Sequence, residues 1–320
     1  TQIDRFADEV DRVERFRALA TLYETQFHDV DTAFIYISQA FKLEPNSQAI
    51  HDQLISYAKE RAGFDELFDI YLDVLVQLDE AEGRNNLRTK MVEIYHDELD
   101  DLDHAEMIYR DMLDDEADNE FALDRLQKLY HEQEKWDEVI DVLRTRVEVA
   151  RSDKARISTL YDIATLYREN TGDLAESLDT YEQILSLDVT ESDAYRGIES
   201  IYFERGDVQS VTATLRRELD VCEDETDRRE ARLRLAAIHF TELEEHGQAV
   251  EELALVLEEA PLEEGALELL AEVVAAWDSP SEEAAGLLIK AYTEQEDWGA
   301  LIALYQSLAA RAVGEEERVS

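Results

Sequence analysis

The sequence predicts an all-α protein, a solenoid of about eight antiparallel helix hairpins, and two observations carry that prediction. The first is an internal repeat. The motif Leu19-Ala20-Thr21-Leu22-Tyr23 returns as Met91-Val92-Glu93-Ile94-Tyr95, as Ile163-Ala164-Thr165-Leu166-Tyr167 and as Ala236-Ala237-Ile238-His239-Phe240. Its aromatic anchors Tyr23, Tyr95, Tyr167 and Phe240 lie 72, 72 and 73 residues apart. A second series, Ala58, Tyr130, Tyr202 and Val274, is spaced 72 throughout and interleaves with the first at 35 and 37 residues. A fixed period in that range marks stacked helix pairs, each leaning on its neighbours and together leaving a concave face open. The second observation is the hydrophobic pattern. Apolar residues recur at three and four, as in Phe16, Leu19, Ala20 and Tyr23 or Leu126, Leu129 and Tyr130, and no useful run alternates at two.

The hairpins are expected near 12–45, 47–80, 84–116, 119–151, 154–188, 191–223, 227–260 and 264–311, as one array over 1–320. Breakers fall where that layout needs them. Gly63, Gly172, Gly206 and Gly247 are expected between the two helices of a hairpin. Pro45 and Pro261 follow second helices and are 216 residues apart, three full periods; proline ends a helix by removing a donor and clashing with the preceding turn. Ser279-Pro280-Ser281-Glu282 reads as a helix start, with Ser279 as cap. The last hairpin departs from the pattern: an extra helix near 281–294 intervenes before Trp298, and Glu294-Gln295-Glu296-Asp297-Trp298 echoes Glu132-Gln133-Glu134-Lys135-Trp136. Thr1 to Phe6 read as helix, and Glu315 to Ser320 as the opening of another, so both ends look cut from a longer chain.

These residues resemble the tetratricopeptide repeat family. Leu160, Ile163, Ala164 and Tyr167 match its first helix; Ala33, Ile37, Ala40 and Pro45 match its second, as do Ala105 with Tyr109 and Ser177 with Tyr181. Val92 and Gln127 stand where a small residue is usual, and several units run longer than the family's 34 residues. The alternation of long and short links is similar to that of very long bacterial arrays. The resemblance implies a right-handed superhelix that binds a peptide or protein surface in its groove.

Composition bounds the rest. With 31 basic and 78 acidic residues the net charge is −47, and only 7 of the basic residues are lysines. Phosphate backbones are held by lysine and arginine, so nucleic acid and anionic membrane are expected to be repelled. That argues against an RNA-binding helical-repeat protein. The acidity suits either a high-salt habitat or an arginine-favouring genome with a need for solubility. Apolar residues never run to the roughly 18 a membrane helix needs. No signal peptide is visible, and a single cysteine forbids an internal disulfide; both fit a cytoplasmic protein. Cys222 lies on a stripe with Leu215 and Leu219 and is expected to be packed and inert.

The chemistry-bearing motifs are missing: no phosphate loop, no dinucleotide fingerprint, no nucleophile elbow and no His-Glu-x-x-His. No catalytic residue, cofactor or metal is expected; the acidic turn from His96 to His104 lacks the glycine and closing glutamate of a calcium loop. Tyr23, Tyr95, Tyr130, Tyr167 and Tyr202 are expected in the core, and Phe64, Trp136 and Trp298 as clamps on hairpin turns. On the open side of the first helices the pattern places Phe121, Lys128, His131, Tyr161, Arg168, Arg196 and Phe203. Arginine forks onto carboxylates and aromatics stack, so these are the expected partner-binding residues; alternatively the bases neutralise acids one turn away. The expected function is a non-enzymatic protein-interaction scaffold, with a regulatory or sensor arm of a larger enzyme such as a protease or kinase as the alternative.

Self-repulsion among close carboxylates is screened by salt. The melting temperature is therefore expected to climb from about 0.05 M to about 1 M KCl, where the Debye length is about 3 Å; a flat or falling curve in circular dichroism refutes this.

Overall fold

Helix formation here follows from apolar stripes that no single helix can cover, so each helix finds its partner in the next one along the chain. The computed structural model describes residues 9–276 and 282–319, with side chains described for 11–276 except Asp97 and for 282–310. Every regular element among them is helical. The chain divides into two compact units, Thr1–Val149 and Ala150–Ser320.

The first unit holds α1 (Glu9–Leu22), α2 (Val30–Leu43), α3 (Gln48–Arg61), α4 (Phe64–Leu75), α5 (Ala81–Asp97), α6 (Leu102–Asp115), α7 (Glu120–Glu132) and α8 (Trp136–Val149). The second holds α9 (Asp153–Leu166), α10 (Leu174–Leu187), α11 (Ser192–Glu204), α12 (Val208–Val221), α13 (Glu225–Thr241), α14 (His246–Glu259), α15 (Glu264–Ala276), α16 (Glu282–Glu294) and α17 (Trp298–Val319). Within each unit consecutive helices pack on one another, the contact order of an α-solenoid.

Two kinds of hairpin turn alternate. In the long kind a backbone N–H reaches six residues back: Asp29 to Tyr23 (3.0 Å), Asp101 to Tyr95 (2.9 Å), Asp173 to Tyr167 (2.8 Å) and Glu245 to His239 (2.7 Å). In the short kind it reaches five: Gly63 to Ala58, Lys135 to Tyr130, Asp207 to Tyr202 and Asp297 to Tyr292, each 2.9 Å. Two long turns pass through a π-helical turn, Tyr23–Phe27 and Tyr167–Thr171. The donor residue also starts the next helix. Asp29, Asp101 and Asp207 accept bonds from its first residues, which holds their carboxyls below the usual range; Asp173 makes the same cap.

The long turns correct the register of the fourth repeat. His239, not Phe240, lies 72 residues beyond Tyr167, with Ala236 beneath Ala164 and Leu235 beneath Ile163. His239 is buried and Phe240 only half-buried. The imidazole tolerates burial because its Nδ1 meets the Glu245 carboxylate at 2.8 Å.

Small residues mark the helix crossings. Ala20, Ala164 and Ala236 are fully buried, Val92 fills the same place, and the Ser177 hydroxyl donates to the Ala164 carbonyl at 2.9 Å. Tyr130 and Tyr167 belong to the core as expected, each worth about 2 kcal/mol of burial. Tyr23, Tyr95 and Tyr202 are half-buried instead. They end their helices at a turn, so one ring face packs while the edge stays wet: Tyr95 stacks on Phe68 at 4.1 Å and on His104 at 5.0 Å.

Three further expectations change. Gly247 sits inside α14, not between helices. Cys222 is half-buried at the end of α12, and partial burial pushes its thiol up, away from the reactive thiolate. Glu315 to Val319 continue α17 rather than opening another helix. The expected cap at Ser279, with Pro280 and Ser281, lies outside the described residues, as do residues 1–8 and Ser320. At the last hairpin α16 closes the short turn with α17, and Ala284, Ala285, Leu288 and Ala291 repeat the buried spacing of Ala266, Leu267, Leu270 and Val273 in α15.

Each hairpin turn holds one left-handed residue: His28, Ala62, Asp100, Glu134, Gly172, Gly206, Glu244 and Glu296, with φ between 50° and 73°. Only two are glycine, although that backbone disfavours other residues by about 1–2 kcal/mol. Nothing lies within 4 Å of a Cβ added at Gly206. Ala62→Gly and Glu134→Gly are expected to raise stability by about 0.5 kcal/mol each, after the entropy glycine adds to the unfolded chain. Gly206→Ala is expected to lower it by about 1 kcal/mol. Urea midpoints measure both, and unchanged midpoints would exclude strain at these turns.

Candidate functional site

The expected binding residues fall into two groups, one in each unit. In the first unit α7 carries Phe121, Lys128 and His131. The Phe121 ring meets Tyr109 of α6 edge-on at 5.9 Å, and the Arg125 guanidinium covers it at 5.3 Å. That arrangement half-buries Phe121. Lys128 is exposed, 3.8 Å from Glu132 one turn on, and lines a cleft of about 210 Å³ with His96, Tyr109, Arg125 and Leu129. His131 is exposed and stands perpendicular to Trp136 at 5.1 Å, so the indole clamps its own turn.

In the second unit Arg196, Ser200 and Phe203 form one stripe of α11, spaced by four and three. They line a cleft of about 450 Å³ with Arg234, Ala237 and Ile238 of α13. Phe203 is 53% exposed, a large apolar ring presented to solvent. Arg168 reaches this stripe from the turn after α9: it donates to the Ser200 hydroxyl at 2.9 Å and lies 3.7 Å from Glu204. Three of the expected residues thus converge on α11. Tyr161 does not join them. Its hydroxyl donates to Glu191 at 3.2 Å and its ring meets Tyr181 at 6.2 Å; burial and that carboxylate raise its pKa and keep it a phenol.

The arginines are already partnered by acids, as the neutralising alternative expects. Arg196 meets Asp193 at 3.1 Å, Glu230 at 2.6 Å and Asp227 at 3.8 Å. Beneath the cleft lies a cluster that sequence reasoning missed. Arg234 bridges Glu199 at 2.9 Å and Glu218 at 2.5 Å, and the Glu218 side chain is 1% exposed. Burial raises both carboxyl pKa values, with Arg234 opposing. Glu218 had a readable signal: it continues the α12 stripe of Val211 and Leu215, where an acid is out of place. Its arginine partner, 16 residues away on another helix, had none.

No helix among the described residues is long and apolar enough to cross a membrane. Nor do three His, Cys, Asp or Glu side chains among them converge as a metal site would need.

Residues 122–156 match the family model described as Tetratricopeptide repeat. No curated protein matches the chain. Among solved structures, the C-terminal part of a TPR repeat-containing protein from Cytophaga hutchinsonii is 13% identical, covering 80% of this chain and 99% of its own, with a TM-score of 0.39. Pseudomonas aeruginosa pilF is 13% identical over 82% of this chain and 99% of its own, TM-score 0.31. The TPR2AB domain of yeast Sti1, in a structure titled as a complex with pHSP90, is 14% identical over 88% and 99%, TM-score 0.29. Residues 122–156 thus carry a tetratricopeptide repeat, set in an array of alternating hairpins on a 72-residue period with small residues at the crossings.

Proposed function

We propose that the chain is a non-enzymatic scaffold that holds a segment of another protein against its first helices. The observation that carries this reading is the α11–α13 cleft, lined by Arg196, the exposed ring of Phe203 and the apolar Ala237 and Ile238, with Arg168 bonded to Ser200 of the same lining. Interface anchors of this kind are aromatic and arginine side chains surrounded by a polar rim. The acids that now hold Arg196 keep its guanidinium extended over the cleft, so a partner carboxylate replaces one of several competing pairs rather than ordering a free side chain. The smaller α6–α7 cleft, with Lys128, Phe121 and His131 along its helix, is read as a separate contact of the same sort.

The net charge of −47 sets the partner's chemistry. A protein segment with apolar residues and a carboxylate for the arginine pair, without the dense negative charge of a phosphate backbone, fits such a surface, and nucleic acid and anionic lipid do not. A cytoplasmic setting suits the lone half-buried thiol of Cys222.

The test is a pull-down with the whole chain from lysate of its own cells. Arg168→Glu with Arg196→Glu, and separately Phe203→Ala, are expected to reduce the captured protein at least about tenfold, the size of a typical anchor loss. Helicity and melting temperature should stay unchanged. Undiminished capture by both variants would refute the cleft, and tight RNA retention on a filter at low salt would refute the choice of partner.

A further inference from the structure

One pair of polar side chains stands where the repeat is otherwise apolar. His51 of α3 recurs as Leu123, Tyr195 and Leu267, one, two and three periods on, and all three are buried. Tyr71 of α4 recurs as Leu143 and Leu215, also buried. Other repeats thus fill these two places with apolar groups, and the fold itself asks for no titratable ring at His51.

The imidazole is 2% exposed, with the Phe41 ring of α2 at 6.1 Å and the Tyr71 ring at 5.7 Å and 17°. Its Nε2 meets the Tyr71 hydroxyl at 2.7 Å. Its Nδ1 is buried and has no hydrogen-bond partner among the described residues. A neutral ring satisfies Nε2 in either tautomer, because a hydroxyl both donates and accepts. A protonated ring carries N–H at both nitrogens, and the one at Nδ1 has nowhere to donate. Lys90 of α5 repels a second cation, while Asp52, beside His51 on α3, favours one. From α4 comes the Tyr71 phenol, which burial keeps protonated, and from α2 the Phe41 ring. Burial is the largest effect, Lys90 the next, and together they push the imidazole from its ordinary 6.5 down to about 4. The second unit offers a contrast: His239, 3% exposed, gives its Nδ1 the Glu245 carboxylate at 2.8 Å.

We propose that His51 is an acid-sensitive joint of the first unit: on taking a proton it opens the packing of α3 against α2 and α4, while the second unit stays folded. An opened chain exposes the ring and binds the proton near 6.5, whereas the packed ring binds it only near 4. The stability this position contributes is therefore complete above about 6.5, is lost as the pH falls from there toward about 4, and falls no further below that. Opening stays local because each hairpin leans only on its neighbours. The joint does not depend on the cleft reading, whose residues Arg168, Arg196 and Phe203 lie in the second unit.

The experiment is amide hydrogen exchange of the 320-residue chain, read peptide by peptide at about pH 7.5 and about pH 5 and corrected for the intrinsic rate. The opening constant of α2, α3 and α4 is expected to rise at least about tenfold on acidification, one proton being taken up on opening. Peptides of α11 and α12 are expected to show no such rise. They also serve as the reference for the general gain an acidic chain makes as its carboxylates take up protons and repel less. His51→Leu with Tyr71→Phe puts apolar groups in both places, as other repeats do, and is expected to abolish the acid response while keeping helicity at neutral pH. Tyr71→Phe alone is expected to retain the response, since Nδ1 still lacks an acceptor. If the double variant lacks helix, the parent and Tyr71→Phe decide the matter. Equal acid responses in the two units of the parent overturn the proposal, and so does an acid response that survives without His51 or vanishes in Tyr71→Phe.

Discussion

Contact between the second helix of one hairpin and the first helix of the next is what the architecture depends on. A lone hairpin buries only the seam between its two helices and leaves the outer apolar positions of the second wet. Phe68 on Tyr95, Tyr109 on Phe121 and Tyr181 on Gly197 show the same requirement met with different side chains. Gly197 leaves room for the tyrosine ring, and any larger residue there would push α10 and α11 apart. Burial of a large side chain contributes about 2 kcal/mol, so two such positions per junction outweigh any surface pair.

Charge plays a different part. Several arginines reach across helices to acids, as Arg61 does to Asp31 and Glu66, Arg84 and Arg88 to Asp115, Arg146 to Asp124, and Arg217 to Glu182. Apart from the half-buried pairs of Arg84 and Arg88 with Asp115, each keeps at least one partner in water and contributes about 1 kcal/mol or less. They serve to break up negative charge. The Glu199–Arg234–Glu218 cluster is of another kind: a half-buried and a buried carboxylate share one guanidinium, and removing Arg234 would leave the buried one uncompensated. It ties α11, α12 and α13 together directly below the cleft proposed to hold a partner.

Period, hairpin order and helix faces were legible because they rest on repeated apolar spacing, which one line of sequence carries. What escaped rests on single partners or on backbone. Hydropathy favours Phe240 over His239, and only Glu245 across the turn makes the histidine the buried anchor. Six of the eight left-handed turn residues are not glycine, so composition gave no sign of them, while Gly247 pointed to a turn that Glu244 makes. In the candidate site, Arg196 and Phe203 follow from counting round α11, yet Tyr161, found by the same count, is spent on Glu191. Counting fixes a direction from the helix axis and says nothing of what a neighbouring helix has placed there. Arg234 and Ser200 were missed for the same reason.

Nearest-neighbour stacking makes one demand that a globular core does not: shortening the array must leave the remainder folded. The direct measurement is thermal unfolding, followed by circular dichroism, of the chain ended after Ala260, where α14 is complete. The account predicts a helical protein that melts cooperatively at a lower temperature than the parent, in proportion to the lost junctions. A fragment without helix, or one that has lost its cooperative transition, would contradict it.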